Sequence, residues 1–484
     1  MHGEIDENTN RPKKIIKKSQ DISQWYTEVI IQSELADYAP IKGCMVIRPY
    51  GYALWEKIQE YLDRLIKKRG VKNAYFPIFI PESFLKKEKE HVEGFSPELA
   101  IVTIGGGQKL KEHLVVRPTS ETIMYALYKK WTRSWRDLPI LINQWNNVVR
   151  WEKRTYLFLR TSEFLWQEGH CAHLEHKESL QTVLWALNCY KKLYNDLMAM
   201  YVITGTKSNT EKFAGAKKTF TIEILLPGGK ALQGGTSHDL GQNFSKAFGW
   251  TIQDQNGKNV YPYQNSWGIS TRSIGGLILA HGDDSGLILP PKIAPVQIVI
   301  VPIYKNDNKE KIIEYSNKVK DIIKKYRVEI DLREDETAGY KFSKWEIKGV
   351  PLRLEIGEKE RLTKTVTLVR RDTYERTTES IIKLKNTVSK LLKNIQTELF
   401  ERHKKFTEQN THVVNNYSDF KDIMKNKKGF IKAFWCENPI CEKKIKEETK
   451  ATTRCLPINS TEERGKCVYC GSHAKNRWIF AQSY

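Results

Sequence analysis

V-V-R-W-E (148–152) and, after a short loop, R-T-S-E-F-L-W-Q-E-G-H (160–170) decide how this chain is read. The valines before Arg150 and the L-F-L triplet (157–159) before Arg160 predict two strands joined as an antiparallel hairpin. Alternate residues of a strand share a face, so Arg150 and Glu152 point one way, with Arg160 and Phe164 supplied by the returning segment. Two guanidiniums and an aromatic ring on one sheet surface suit a nucleoside triphosphate: planar donors for phosphate oxygens, a ring for the base. A lone R-x-E is better read as a solvated amphipathic hairpin. Its company, R-P-T-S-E (117–121) upstream and W-Q-E-G-H (166–170) downstream, is far more specific.

The pattern R-x-E, loop, R-x-x-x-F at Arg150, Glu152, Arg160 and Phe164 resembles motif 2 of the class II aminoacyl-tRNA synthetases. R-P-T-S-E, F-L-W-Q-E-G-H (164–170) and Q-G-G-T-S-H (233–238) are similar to the prolyl-tRNA synthetases of the eukaryotic/archaeal type. The likeness covers nearly the whole chain after residue 20. It implies an α+β catalytic domain, an antiparallel sheet with flanking helices, followed by an α/β anticodon-binding domain and a small α+β zinc-binding C-terminal domain. The expected bounds are a flexible basic leader over 1–22, then 23–292, 293–405 and 406–484. The implied reaction is ATP-dependent activation of L-proline to prolyl-adenylate, then transfer to the 3′ end of tRNA(Pro), in the cytoplasm and by a homodimer.

Composition is compatible with that and less specific. A chain of 484 residues has room for two to four domains with sizeable cores. Its formal net charge of +22 points to a polyanion such as nucleic acid, although an acidic membrane surface would attract it equally. The sequence contains no run of 18 apolar residues, and Met1-His2-Gly3-Glu4 lacks the layout of a signal peptide, so a soluble intracellular protein with no membrane partner is expected.

Along the chain, Leu54, Trp55, Ile58, Leu62 and Ile66 between Pro49 and Gly70 predict a helix over 50–69. A strand over 73–80 carrying Pro77 should follow, at an edge or interface. The pair resembles class II motif 1, which forms the family's dimer interface; an ordinary helix and edge strand fit the pattern equally. Gly105-Gly106-Gly107 reads as a turn between strands, because the chain has neither G-x-x-x-x-G-K-[ST] nor G-x-G-x-x-G opening a helix. A helix is expected over 180–199. His170, His173 and His176 could share a helix face and hold a metal, but without an obvious carboxylate or thiolate partner they read better as polar surface. In Q-G-G-T-S-H, after a strand over 221–226, the glycines let backbone approach a ligand.

Residues 267–271 read as a strand entering an apolar helix, with Arg272 at the junction. A cation buried there needs an anion, either a ligand's or a protein carboxylate. The arrangement resembles class II motif 3. L-P-P-K-I-A-P (289–295) is a linker. Beyond it, strands over 296–301, 328–332, 350–356 and 365–369 alternate with helices over 309–325, 341–348 and 378–403, predicting a small α/β domain with a mainly parallel sheet. G-V-P-L-R-L-E-I-G (349–357) looks like an anticodon-binding domain, and a small-ligand domain has the same pattern. Cys436-x4-Cys441 and Cys467-x2-Cys470, with Cys455 between, fit tetrahedral zinc better than free buried thiols or a disulfide framework.

The resemblance also implies roles. Arg150 and Arg272 are the catalytic pair: Arg150 bridges the proline carboxylate and the α-phosphate, while Arg160 and Arg272 hold the outer phosphates. Phe164 stacks on adenine, Glu152, Thr161, Thr236 and Ser270 complete the ATP site, and Gln233 lies near Mg²⁺. Thr119, Glu121 and His238 take the secondary ammonium of proline; Trp166 and Phe213 wall its ring, with Glu168 and His170 close behind. The span from Phe164 to Trp267 is too short for the editing insertion of bacterial-type enzymes. Two rivals remain: a catalytically silent paralogue, against which the retained motif arginines speak, and a basic zinc-ribbon nucleic-acid binder. Proline-dependent ATP–pyrophosphate exchange separates them, because both rivals lack it.

Overall fold

Leu54, Trp55, Ile58, Leu62 and Ile66 are all buried on one face of a helix, α1 (Pro49–Lys68), as their spacing requires. Proline fits the first helical position, and Gly70, at φ +84°, ends the segment. The computed structural model describes residues 15–86 and 99–484, with the backbone of 5–6 and 11–12. The leader expected over 1–22 therefore lies largely outside the described residues. Its last part is not a free tail. Ile15 is buried, and Lys18 donates from Nζ to the carbonyls of Leu279 (2.7 Å) and Gly282 (2.8 Å), capping the end of a core helix.

The strand expected over 73–80 is two pieces in two sheets. Lys72–Asn73 pairs parallel with residues 142–143, whereas Phe79–Pro81 pairs antiparallel with Gln108–Val116. Pro77 sits in the crossing, where the ladder has no use for a missing N–H. The triple glycine does turn the chain between Ala100–Gly105 and Gln108–Val116, with Gly106 and Gly107 at φ +57° and +78°.

Helix α2 (Glu121–Trp131) precedes the hairpin strands β1 (Ile140–Val149) and β2 (Glu163–His173). Then come α3 (His176–Lys192), β3 (Ile203–Thr206), β4 (Lys218–Leu225), β5 (Ala231–Gly241), β6 (Tyr263–Ser270) and α4 (Arg272–His281). The strands lie in the order β3-β4-β5-β6-β2-β1 and are antiparallel throughout. Odd-numbered Cys171, Trp267 and Ile269 face the main core under α1 and α3; the even-numbered residues of β2 and β6 face the other way. The L-F-L triplet is not strand. Leu157, Phe158 and Leu159 make a buried turn closed by the Tyr156–Arg160 bridge, with Phe158 at φ +60°. His170 and His173 lie on β2 and His176 opens α3, so the three share no helix face. They are not polar surface either: the first two are buried, and His176 bonds Asp239 at 2.8 Å.

In the second unit, β7 (Ile298–Pro302), β8 (Val328–Ile330), β9 (Leu352–Ile356), β10 (Thr365–Arg370) and β11 (Arg376–Ser380) form the order β8-β7-β9-β10-β11. The β8-β7-β9 pairs are parallel and the β9-β10-β11 pairs antiparallel, so the sheet is mixed rather than mainly parallel. The long helix α5 (Leu384–Gln409) starts later than expected, because T-T-E-S pairs as an edge strand first. The C-terminal unit contributes β12 (Thr411–Val414), β13 (Phe430–Phe434), α6 (Pro439–Thr449), β14 (Ala451–Pro457) and β15 (Arg477–Gln482). Strand β14 pairs with β3 at Gly205↔Pro457 and Thr206↔Leu456. The C-terminal strands thereby extend the sheet of the first unit to 11 strands.

Two imidazoles are sealed where α4 meets α5. His281 bonds the Met198 carbonyl at 2.9 Å, and His403 receives Tyr201 N at 3.0 Å. Burial pushes His281 down to about 3, reinforced by His403, and His403 down to about 4. Both are neutral in the fold, whereas an unfolded histidine protonates below about pH 6.5. Between those limits the unfolded state holds more protons, so acidification costs about 1.4 kcal/mol per pH unit for each imidazole. Urea unfolding at pH 7 and pH 5 should show a smaller acid loss for His281→Gln than for the parent chain; equal losses would refute the assignment.

Candidate active site

Parity builds the site. Phe164, Trp166, Glu168 and His170 follow one another on one face of β2, opposite Ser270, Gly268 and Ser266 of β6. Strand β5 adds Gln233, Thr236 and His238, whose numbering puts Gln233 out of phase with the other two. A bulge corrects this: Glu223 pairs with Gln233 and Ile222 with Gly235, so Gly234 is the extra residue. A Cβ at Gly234 would lie 2.8 Å from the Tyr194 ring, so only glycine fits. These strands, with Thr119, Glu121, Arg150, Phe213 and Arg272, line a cavity of about 270 Å³.

One end of the cavity is cationic and aromatic. Arg150 donates from Nε to the Pro118 carbonyl (3.1 Å), and its guanidinium lies 5.5 and 5.4 Å from the Phe164 and Trp166 ring centres. Arg272, the first residue of α4, donates from Nε to the Leu159 carbonyl (2.9 Å), which explains why the L-F-L turn is buried here. Burial, then the charges of Arg150 and Arg160, push Arg272 down to about 10. The charges of Arg150 and Arg160 thus disfavour that of Arg272, and an anion bound in the site would relieve this.

The other end is acidic and densely bonded, with the buried Nδ1 of His170 left without a hydrogen-bond partner among the described residues. Glu168 accepts from Ser120 N (3.1 Å), Ser120 Oγ (2.5 Å), Gln144 Nε2 (3.1 Å) and Asn146 Nδ2 (2.7 Å), and pairs with His170 Nε2 (2.9 Å). Burial raises its pKa, but the hydrogen bond and charge of His170 outweigh this and hold it below the ordinary range. Burial lowers His170, and the charge of Glu121 with the bond to Glu168 more than restores it. Glu121, Glu168 and His170 lie within 4.8 Å of one another. With five donors on Glu168, this is a salt-bridge network rather than a metal cage. The Thr119 hydroxyl bonds Glu121, and His238 Nδ1 meets Thr219 Oγ1 at 2.9 Å beneath the Phe213 ring, 4.5 Å between centres.

The residues expected from the sequence divide. Thr119, Glu121, Arg150, Phe164, Trp166, Glu168, Phe213, Gln233, Thr236, His238, Ser270 and Arg272 all line the one cavity. Glu152, Arg160 and Thr161 do not. Arg160 pairs with Glu152 at 2.7 Å beside it, and the Thr161 hydroxyl turns away to the Glu163 carbonyl. Arg117, in the same string as Thr119, is fully buried on Phe76 O, Asn147 O and Asn147 Oδ1, so it braces the site from behind. Ser120, Gln144 and Asn146 escaped the sequence reading, although extending the β1–β2 register sets Gln144 opposite Glu168.

In the C-terminal unit, Cys436, Cys441, Cys467 and Cys470 place all four sulfurs within 4.8 Å of one another, with two separations of 3.7 Å. A tetrahedral zinc with bonds of about 2.3 Å needs sulfurs about 3.8 Å apart, whereas a disulfide needs about 2 Å. The donor set fits zinc. Hydrogen bonds from the Ser472 side chain and backbone bring Cys470 down to about 6. Cys455 takes no part: it is buried against Gly205 on β14.

Residues 102–281 match the class II tRNA synthetase core domain (G, H, P, S and T), 297–394 the anticodon binding domain, and 417–484 the C-terminal region of prolyl-tRNA synthetase. A proline–tRNA ligase of Natranaerobius thermophilus is 51% identical over 475 residues, covering 98% of both chains. One from Clostridioides difficile is 50% identical, again over 98% of each. The crystal structure of the prolyl-tRNA synthetase from Cryptosporidium parvum, complexed with halofuginone and AMPPNP, superposes with a TM-score of 0.93 at 43% identity, covering 97% of this chain and 99% of that one. With half its residues shared with such relatives along nearly its whole length, and with class II core, anticodon-binding and C-terminal regions in that order, the chain belongs to the prolyl-tRNA synthetase family.

Proposed function

We propose that the chain activates L-proline with ATP and esterifies it to tRNA(Pro). The observation that carries this is one cavity with guanidiniums at one end and a carboxylate–imidazole network at the other, divided by aromatic walls. A carboxylate oxygen of proline attacks the α-phosphorus, the bond to the β-phosphate breaks, and pyrophosphate leaves. A terminal ribose hydroxyl of the tRNA then attacks the proline carbonyl, and AMP leaves. Neither step asks for much acid–base help; both ask for in-line placement and cations on phosphoryl oxygens. In this reading Arg150 draws the proline carboxylate toward the α-phosphate while Phe164 stacks on adenine. Arg272, with Arg160 beside it, takes the outer phosphates, and Thr236, Ser270, Thr161 and Glu152 complete the nucleotide's surroundings. Gln233 would lie beside the Mg²⁺ that accompanies ATP, an ion that would supply neutralisation of phosphate charge. Thr119, Glu121 and His238 receive the secondary ammonium, and Trp166 and Phe213 enclose the ring over Glu168.

Charging of bulk tRNA with each of the twenty amino acids tests the reading. Proline alone should be esterified; preferential charging of another amino acid, or of none, overturns it. Zinc in the four-thiol cluster is a separate part of the proposal. Metal analysis should find one zinc per chain, and Cys467→Ser should lose it; a metal-free parent chain that stays folded would contradict the site. The family's dimer is proposed on the apolar surface near the proposed motif 1, where Tyr75, Phe79 and Trp131 are exposed at 72, 45 and 51%. Among the described residues no helix is long and apolar enough to cross a membrane, and a cytoplasmic site of action suits the tRNA substrate.

A further inference from the structure

The wall of the cavity that carries Phe213 is an irregular loop, 208–216, between β3 and β4. Its own backbone bonds close turns, Lys212 N to Ser208 O at 2.9 Å and Ala216 N to Phe213 O at 3.0 Å, and Asn243 Nδ2 holds the Gly215 carbonyl at 2.8 Å. Its two ends are held differently. At the cavity side, Phe213 N donates to Thr219 Oγ1 (2.9 Å), the hydroxyl that also meets His238. At the other side, the loop is tied to the C-terminal unit. Glu442, on α6 next to Cys441 and only 6% exposed, accepts from Ser208 Oγ at 2.9 Å and from the hydroxyls of Thr210 and Thr453. One turn along α6, Lys446 Nζ lies 3.6 Å from the carboxylate of Glu211, another residue of the cavity wall. The same junction is locked in the opposite direction, for Arg454 of β14 and Lys207 both pair with the buried Glu223 of β4, at 2.7 and 2.9 Å.

We propose that Glu442 is a positioning residue for proline binding: through Ser208 and Thr210 it moors the loop that sets Phe213 and Glu211 against the amino-acid end of the cavity. This rests on the assignment of that end to proline. A buried carboxylate gathering three hydroxyls is an exacting anchor, because losing it strands every donor at once. The loop has no backbone ladder with which to replace it. The four-thiol cluster holds the start of α6, so the module that carries the cysteines also fixes the height of the loop. The ATP end, built from the β1–β2 hairpin, β5, β6 and α4, shares no hydrogen bond with Glu442, whose partners among the described residues are Ser208, Thr210 and Thr453.

The test uses the full-length protein. Proline affinity is read by a tryptophan fluorescence titration with L-proline, and KM and kcat by ATP–pyrophosphate exchange. Glu442→Ala should raise both Kd and KM for proline about tenfold or more, leaving KM for ATP within about twofold, and Glu442→Gln, which keeps one acceptor oxygen, should fall between. Thr210→Val, at an exposed loop position that leaves the C-terminal unit intact, should raise KM for proline in the same direction. The double variant should be no worse than Glu442→Ala alone, since both remove one interaction. An unchanged KM for proline in Thr210→Val, additive effects in the double variant, or equal losses for ATP and proline would overturn the mooring role. A parent chain that binds no proline would overturn the substrate assignment instead, so the two failures are distinguishable.

Discussion

Arg150→Ala is expected to lower kcat/KM for proline-dependent ATP–pyrophosphate exchange by about 10²–10³-fold, as loss of a group that acts mainly on the transition state does elsewhere. The side chain is held at Nε by Pro118 O and against Phe164 and Trp166, and it lines the cavity. The proline carboxylate and the α-phosphate are both anions, and their approach is unfavourable until a cation lies between them. Arg150→Lys keeps the charge but loses the planar fork and the stacking, so it should recover little. An Arg150→Ala variant with near-normal exchange would show that the cation is not used.

The second large effect is expected at Glu168, and on stability as well as binding. Glu168→Ala removes the acceptor of five donors from Ser120, Gln144, Asn146 and His170 at a buried position. Breaking a buried charge pair from one side costs about 3–5 kcal/mol. Glu168→Gln should cost less, since one carbonyl oxygen still accepts. Chemical denaturation followed by a probe of the catalytic domain should report the order parent, Gln, Ala. The pH dependence has two limbs. The lowered Glu168 contributes stability above about pH 4.3, lost as pH falls through its lower folded value. The raised His170 contributes fully below about pH 6.5, and its share is lost as pH rises through its folded value. Glu168→Ala should flatten both limbs, and unchanged limbs would mean the pair is not ionised.

Much of the site was legible because a strand's period of two is strict. Once the hairpin was recognised, Phe164, Trp166, Glu168 and His170 had to share a face. The same register would also have delivered Gln144 and Asn146, had it been carried back along β1. The phase of Gln233 was not legible: the paired glycines permit a bulge but do not say which residue is extra. The L-F-L triplet misled because an apolar run serves a buried turn as well as a strand. Pro77 was read as part of one edge or interface strand over 73–80, and only tertiary structure shows that it divides two sheets. Least accessible was the joining of β14 to β3, a pairing across some 250 residues made by unsatisfied strand edges rather than by any local pattern. That pairing is what brings Glu442 to the loop at 208–216.

The central claim is that one cavity brings an imino acid's carboxylate to the α-phosphate of ATP under guanidinium control. Exchange of labelled pyrophosphate into ATP, measured without tRNA and with each amino acid in turn, tests it most directly. Exchange should depend on proline and collapse in Arg150→Ala and Arg272→Ala. Exchange that ignores proline, or that survives both substitutions, would contradict it.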